Sequence, residues 1–492
     1  MSEERVRKIF EEAGLAPRAG QLEVTEKLVE LIESGKRILF AAPTGWGKTI
    51  AVLTALKAAS AIPAYWLVRA LNIAERIAED AARLGMFAYV AGGREKTCPL
   101  AEQLGDSIHD FCNIARHKCP YARLPPEPPV AKDWREILKL AKGYCPYYAQ
   151  DMIPSELIIQ NYHRRRVRPA RACVVDEAHN LVEPHEKVIT IARLAEAISV
   201  LRHSHSPASS RLAHAAEKLL RHIVSIAEGP VPTSLYFDED CYNELRHVYA
   251  ELLIEEPEKA RALRPLVDLA QGTAYIEEEI HIFKEPQLAH ARYRPLVLVT
   301  ATPPPVLPIE VEVELRVPQT VKPKAVLITH VTTAFSQYSK SMATEYKRLI
   351  LDWAKRARRT LVVVPSERVA RDLRAWATYY ETAPPKDWEG ILMFRARSRF
   401  SEGLDLKAEL VIVAGCPYLP PNVSENLARY YRSKGLPEPA KLAIDAPMLV
   451  ATVQAAGRAW RDPTQPPRVV LADWRFARYK EELKAYFDLE EH

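Results

Sequence analysis

The segment Ala42-Pro43-Thr44-Gly45-Trp46-Gly47-Lys48-Thr49 sets two glycines, a lysine and a threonine in the pattern that receives a chain of phosphates. Glycines let backbone N–H groups approach an anion, the lysine meets the outer phosphates, and the hydroxyl after it is a magnesium ligand. Asp176 lies 128 residues beyond Lys48 and opens Asp176-Glu177-Ala178-His179, directly after the apolar run Cys173–Val175. An acid at a strand end holds the same Mg2+ ion, and the carboxylate beside it is placed to orient or deprotonate water. Either motif alone occurs by chance in many proteins. Here the first follows the apolar run Ile38–Ala41 and precedes a helical pattern, the strand-loop-helix context that phosphate binding requires. The pair predicts an ATP hydrolase using Mg2+ held by Thr49 and Asp176, with nucleotide contacts along Ala42 to Thr49 and at Asp176 and His179.

Two further sets carry chemistry. Gln454, Arg458 and Arg461 recur at helical spacing and share one face. Such a face is often only solvated, but an arginine that reaches a transferred phosphate stabilises its charge, an effect worth about 10³ to 10⁵ in rate. The finger reading is preferred, and it makes Glu177, Gln454, Arg458 and Arg461 the catalytic set. Cys98, Cys112, Cys119 and Cys145, four of the seven cysteines, fall within one 48-residue window. Thiolates at that density bind zinc or an iron–sulfur cluster. Zinc sites favour closely paired cysteines, which the gaps of thirteen, six and twenty-five residues lack, yet spacing leaves both metals open. Cys173, Cys241 and Cys416 stand apart and read as small hydrophobes.

These residues need a scaffold. Apolar runs at Ile38–Ala41, Tyr65–Val68, Phe87–Val90, Leu157–Ile159, Cys173–Val175 and Leu296–Val299 alternate with helical patterns, as in a doubly wound parallel sheet. After Pro303-Pro304-Pro305 the arrangement repeats at Val326–Ile328, Leu361–Val364, Leu410–Val413 and Val469–Leu471, so two α/β lobes are expected. From Val188 to Phe283 the spacing turns helical, as in Leu194, Ile198 and Leu201, which predicts an all-helical insertion. The cysteine window, with Pro125, Pro126, Pro128 and Pro129, shows weak periodicity. It is expected to bury no core of its own and to be held by its metal.

A chain of 492 residues exceeds one core, and its 48% hydrophobic and 27% charged content excludes disordered and fibrous classes. The net charge of +5 tolerates a polyanionic partner without requiring one. Met1–Arg5 is charged, and no stretch reaches the roughly 18 uninterrupted apolar residues of a membrane span; a cytoplasmic protein with no membrane contact is expected. Arg164-Arg165-Arg166 with Arg168 is the densest basic run, either a solvated turn or a contact for a nucleic acid strand. Tyr147, Tyr148 and Tyr162 either stack on bases or pack internally, with packing the default.

Taken in order, the motifs resemble the XPD-type iron–sulfur DNA helicases of superfamily 2, the DinG/XPD-like group, nearly end to end. Arg18 and Gln21 resemble the family's adenine-side element, Asp176–His179 its DEAH box, and Thr300-Ala301-Thr302 the motif that couples hydrolysis to movement. Glu402-Gly403-Leu404-Asp405 resembles motif V, Cys416-Pro417-Tyr418 its follower, and Gln454 to Arg461 motif VI. The resemblance implies two RecA-like parallel-sheet motor domains, with a small four-cysteine iron–sulfur insertion and an all-helical arch insertion in the first. Motor domain 1 would occupy 1–97, 146–186 and 289–305, the iron–sulfur domain 98–145, the arch 187–288 and motor domain 2 306–492. The resemblance adds Gly403 and Asp405 to the nucleotide site and assigns the four cysteines to a 4Fe-4S cluster. It implies a monomeric DNA-repair helicase that moves 5' to 3' on single-stranded and forked DNA, and it names no protein partner. Cys112 and Cys119 stand farther apart than the family's second and third cysteines, which makes Cys119 the departure.

Two other readings use the same residues. A single-strand translocase or nucleoprotein remodeller would carry every motif and hydrolyse ATP without separating strands. A non-catalytic nucleic-acid-binding module would have no need of Lys48, Asp176, Glu177 and Arg458.

Overall fold

The computed structural model describes residues 2–43, 45–164, 168–204, 207–286, 288–319, 321–398, 406–460 and 465–490. The chain divides into two compact units, one drawn from 1–40, 46–300 and 309–316, the other from 41–45, 301–308 and 317–492.

The first unit begins with the strands β1 (Arg37–Ala41), β2 (Ala64–Val68), β3 (Ala88–Ala91), β4 (Leu157–Asn161) and β5 (Ala172–Val175). Then come β6 (His185–Ile189), β7 (Gly229–Val231), β8 (Thr273–Ile276) and β9 (Ile280–Lys284), followed by β10 (Leu296–Thr300) and β11 (Val313–Arg316). Seven of them form a sheet in the order β11-β1-β10-β5-β2-β4-β3, parallel from β10 to β3. Every residue of β2, β5 and β10 is buried. Strands covered on both faces need apolar side chains on both, which is why these segments read as unbroken apolar runs.

The insertion between β5 and β10 is not all helical. Its helices Ile191–Arg202, Pro207–Ser225, Glu239–Glu255 and Pro257–Gln271 accompany a four-stranded antiparallel sheet in the order β6-β9-β8-β7. Ala274 and Ile276 of β8 are buried while Thr273 and Tyr275 are half-buried. That alternation runs over four residues only, too few to stand out against long helical patterns on either side.

The cysteine segment departs from expectation as well, because it shares a core. Leu104, Ile108, Phe111 and Ala115 enter the same buried cluster as Leu194, Leu253, Leu263 and Ile282 of the insertion, and Cys98 and Cys119 pack against it. The helices that supply the first three, Ala101–Leu104 and Ile108–Ile114, are too short to display a period. Charges fasten the joint. Asp268, 1% exposed, pairs with Lys187 at 2.5 Å, Lys284 at 2.7 Å and Arg264 at 3.0 Å. Arg264 and Tyr249 also reach Asp110 of the cysteine segment, and Lys187 reaches its Asp106 at 2.7 Å. Burial alone would raise the Asp268 carboxyl, but Arg264, Lys187 and Lys284 override it and hold it well below the usual carboxylate range.

The second unit contains β12 (Lys324–Ile328), β13 (Arg359–Val364), β14 (Tyr379–Tyr380), β15 (Gly390–Arg395), β16 (Leu410–Val413), β17 (Arg468–Ala472) and β18 (Asp488–Glu490). They form a parallel sheet in the order β14-β15-β13-β16-β17-β12-β18. Alternate residues of β13 serve opposite cores: Leu361 and Val363 enter one buried cluster, Val362 and Val364 the other. The sequence reading passes over β15, although Ile391–Phe394 is an unbroken apolar run and fully in register with β13. Among the described residues, no helix is long and apolar enough to cross a membrane.

Candidate active site

The loop after β1 turns directly into the helix Lys48–Ala58, with Gly47 at its N-terminal boundary. A helix N-terminus of this length presents N–H groups and the positive end of its dipole to an anion. Gly47 has φ 96°, and a Cβ there would come within 2.6 Å of Gln21 Nε2, so glycine is required. Gln21, 3% exposed, donates from Nε2 to the Gly47 carbonyl at 3.2 Å and accepts at Oε1 from the Arg18 N–H at 2.9 Å. Arg18 and Gln21 therefore stand at the loop. Ala42 is buried and Gly45 has φ 81°; Thr44 lies outside the described residues.

Lys48 and the two acids after β5 face one another. Burial pushes the Lys48 ammonium down, against the upward pull of Glu177 and Asp176. Burial and the neighbouring Glu177 push Asp176 up to about 6, against a hydrogen bond from Trp66 Nε1 at 3.3 Å. Glu177 is raised too, by burial, with Lys48 opposing. Its side chain nevertheless keeps 45% of its surface open, so a water molecule has access to it. Glu177 also holds φ 48°, a left-handed backbone that costs a non-glycine residue about 1–3 kcal/mol and concentrates at functional sites. Buried His179 places Nδ1 3.2 Å from Glu177 Oε2 and 3.0 Å from Thr300 Oγ1.

Trp66, which has no role in the sequence reading, and Tyr162, whose default there is internal packing, complete this arrangement. Trp66, on fully buried β2, holds Asp176 through its indole N–H. Tyr162, 8% exposed, donates its hydroxyl to the Asp176 carbonyl, and its oxygen lies 3.3 Å from the Glu177 carbonyl. Tyr162 thus packs beneath the acids. Its signal was positional, since it sits one residue past the end of β4, on the other side of β2 from β5. The basic run is divided. Arg164 is interior, bonded to Asp151 at 2.8 Å and Gln160 at 3.1 Å, with its guanidinium 4.8 Å from the centre of the buried Tyr147 ring. Arg168 donates to the Ile153 carbonyl, and Arg165 and Arg166 lie outside the described residues.

The four cysteines are gathered. Cys112, Cys145 and Cys119 all bear electrostatically on Cys98, and Cys112 and Cys119 on Cys145. Burial pushes the Cys98 thiol up to about 11 and raises Cys112 and Cys145 as well. Arg94 offers Cys112 a hydrogen bond while its guanidinium lies 4.2 Å from the Tyr147 ring centre. Among the described residues, no three His, Cys, Asp or Glu side chains stand at single-ion spacing.

In the second unit Gln454 lies on the helix Ala446–Gly457 and donates to Thr302 Oγ1 at 2.8 Å, with Arg458 next beyond the helix. Arg461, Gly403 and Asp405 lie outside the described residues. Cys416 is buried, as a small hydrophobe should be. Fully buried Asp473 ties the loops after β12 and β17 together, bonding Thr332 Oγ1 at 3.1 Å, the Thr333 N–H at 2.9 Å and Arg475 at 2.7 Å. Nothing in the sequence pattern singled it out.

Two RecA-like parallel-sheet units, the first enlarged by a cysteine segment and a helix-rich insertion, define an XPD-like helicase fold. Solved structures of that fold match nearly the whole chain. A solved XPD helicase shares 20% identity at a TM-score of 0.70, covering 96% of this chain and 99% of its own. An apo XPD gives 18% and 0.63, and Xpd4 of S. tokodaii 16% and 0.59, each covering 96% of this chain and 100% of its own. At these identities the likeness is one of fold. Residues 330–488 match the family model described as helicase C-terminal domain, and no curated protein matches the chain.

Proposed function

We propose that this chain is an ATP-dependent DNA helicase that translocates 5' to 3' on a single strand and separates forked duplexes, with a role in DNA repair. The reading rests above all on Lys48 at the start of a helix, facing Asp176 and Glu177 at the end of a buried strand. Lys48 meets the outer phosphates of ATP, the loop from Ala42 to Thr49 wraps them, and Arg18 and Gln21 stand on the adenine side. Thr49 and Asp176 would hold Mg2+, which supplies charge neutralisation at the phosphate oxygens when bound. Glu177 orients the attacking water and takes its proton; His179 fixes the Glu177 carboxylate and links it to Thr300. Gln454, Arg458 and Arg461 act from motor domain 2, with Gly403 and Asp405 beside the nucleotide.

The domain limits we assign are 1–97, 146–186 and 289–305 for motor domain 1, 98–145 for the cysteine domain, 187–288 for the arch and 306–492 for motor domain 2. Four thiols that bear on one another electrostatically are a donor set that fits a 4Fe-4S cluster, and Cys98, Cys112, Cys119 and Cys145 would hold it. When bound, the cluster supplies cross-links that stiffen the segment, in addition to the core shared with the arch.

Anaerobically purified protein tests both parts. It should contain four irons per chain with visible charge-transfer absorption, hydrolyse ATP faster with single-stranded DNA than with RNA or duplex, and displace a strand from a 5'-tailed fork. Stimulated hydrolysis without strand displacement would leave a translocase, and zinc in place of iron would overturn the cluster assignment.

A further inference from the structure

Arg69 follows β2 directly and is exposed, at a strand end, where open α/β sheets bind their ligands. Its Nη1 donates to Asn180 Oδ1 at 2.6 Å. Asn180 turns its other side-chain atom inward: Nδ2 donates to the Glu177 carbonyl at 3.0 Å, and the Asn180 backbone N–H donates to that same oxygen at 2.9 Å. Tyr162 reaches this carbonyl as well. From the other side Asn161, at the end of β4, donates from Nδ2 to the Arg69 carbonyl at 2.5 Å. An exposed guanidinium is thus two hydrogen bonds from the backbone of Glu177, whose φ of 48° is sustained only by what surrounds it.

We propose that the Arg69–Asn180 pair is a positioning link through which a bound single strand speeds hydrolysis; this rests on the function proposed above. A strand phosphate is a stronger acceptor for a guanidinium than a neutral amide oxygen. When Arg69 turns to a phosphate, Asn180 loses a partner on one side and changes its hold on the Glu177 carbonyl on the other. The left-handed turn is thereby retuned, and with it the aim of the carboxylate. Arg69 contacts the strand, and Asn180 acts only through Glu177.

The test compares wild type, Arg69→Ala, Asn180→Asp, Asn180→Ala and the Arg69→Ala/Asn180→Asp double variant. Aspartate keeps an acceptor for Arg69 but removes the donor to Glu177, and the alanine variant guards against a folding effect peculiar to the added charge. Two quantities are read: kcat for ATP without and with a saturating oligo-dT, and the oligo-dT Kd by anisotropy. Both Asn180 variants should bind the strand within about threefold of wild type yet lose about fivefold or more of the kcat stimulation, the lower range of a coupling between sites. The double variant should lose no more than the single variants do, since both act on one link. Wild-type stimulation in both Asn180 variants at saturation, or losses that multiply in the double variant, would overturn the link while leaving the helicase reading intact. A wild-type protein whose hydrolysis ignores the strand would overturn both.

Discussion

Around Lys48 the ionisable groups are held away from their ordinary state: the ammonium is pushed down, Asp176 and Glu177 are pushed up, and Glu177 carries a strained backbone. Around Asp268 the charges are buried too, but three cations surround the carboxylate and hold it ionised. In the first arrangement desolvation outweighs the neighbouring charges; in the second the neighbouring charges outweigh desolvation. One region holds its ionisable groups away from their ordinary state, and the other uses charge to fasten the cysteine segment to the helix-rich insertion.

If that contrast is right, substitutions in the pocket should alter turnover and spare stability, and substitutions at the joint should do the reverse. If Arg458 acts as the function proposed above has it, the largest effect is expected from Arg458→Ala, which should lower kcat by about 10³ or more while nucleotide binding survives; fluorescent-nucleotide titration beside a phosphate-release assay separates the two. Next comes Asp268→Asn, which leaves three cations around a neutral amide and should destabilise the first unit by about 3–5 kcal/mol, measured by denaturant unfolding. Asp268 has its carboxyl pKa depressed in the fold, so its contribution is present above the ordinary value of 3.8 and is lost as pH falls below it. Denaturant unfolding repeated from pH 6 down to below pH 3.8 should therefore show stability falling in wild type and changing far less in Asp268→Asn. The smallest effect belongs to Tyr162→Phe, which removes the hydroxyl beneath the acids. It should cost about 1 kcal/mol of stability and slow kcat severalfold, and a change in stability without any in kcat would blur the contrast.

The two regions also differ in how far the sequence discloses them. Lys48, Asp176 and Glu177 declare themselves because phosphate chemistry allows few residue types at fixed offsets from a strand, and the strands beside them are unbroken apolar runs. Trp66 escapes notice, and Tyr162 reads only as a packing or stacking ring, because their hold on the acids depends on which strands are neighbours, and strand order is set by distant pairing. The joint is legible only in part. The helical spacing of Leu194, Ile198 and Leu201 points to a helix, but β8 is four residues long and the helix Ala101–Leu104 a single turn. Elements that short have no period to read, so the shared core emerges only once the segments are packed. Asp268 is one acid among many in the sequence; Arg264 stands one turn before it on the same helix, but Lys187 and Lys284 come from β6 and β9, and only the fold brings them to it.

The most direct measurement is steady-state ATP hydrolysis by wild type and Lys48→Ala, each with and without single-stranded DNA, alongside displacement of a strand from a forked duplex. Wild type should hydrolyse ATP, accelerate with the single strand and open the fork, while the folded Lys48→Ala protein should do none of these. Hydrolysis retained by Lys48→Ala would place the reaction elsewhere and contradict the account.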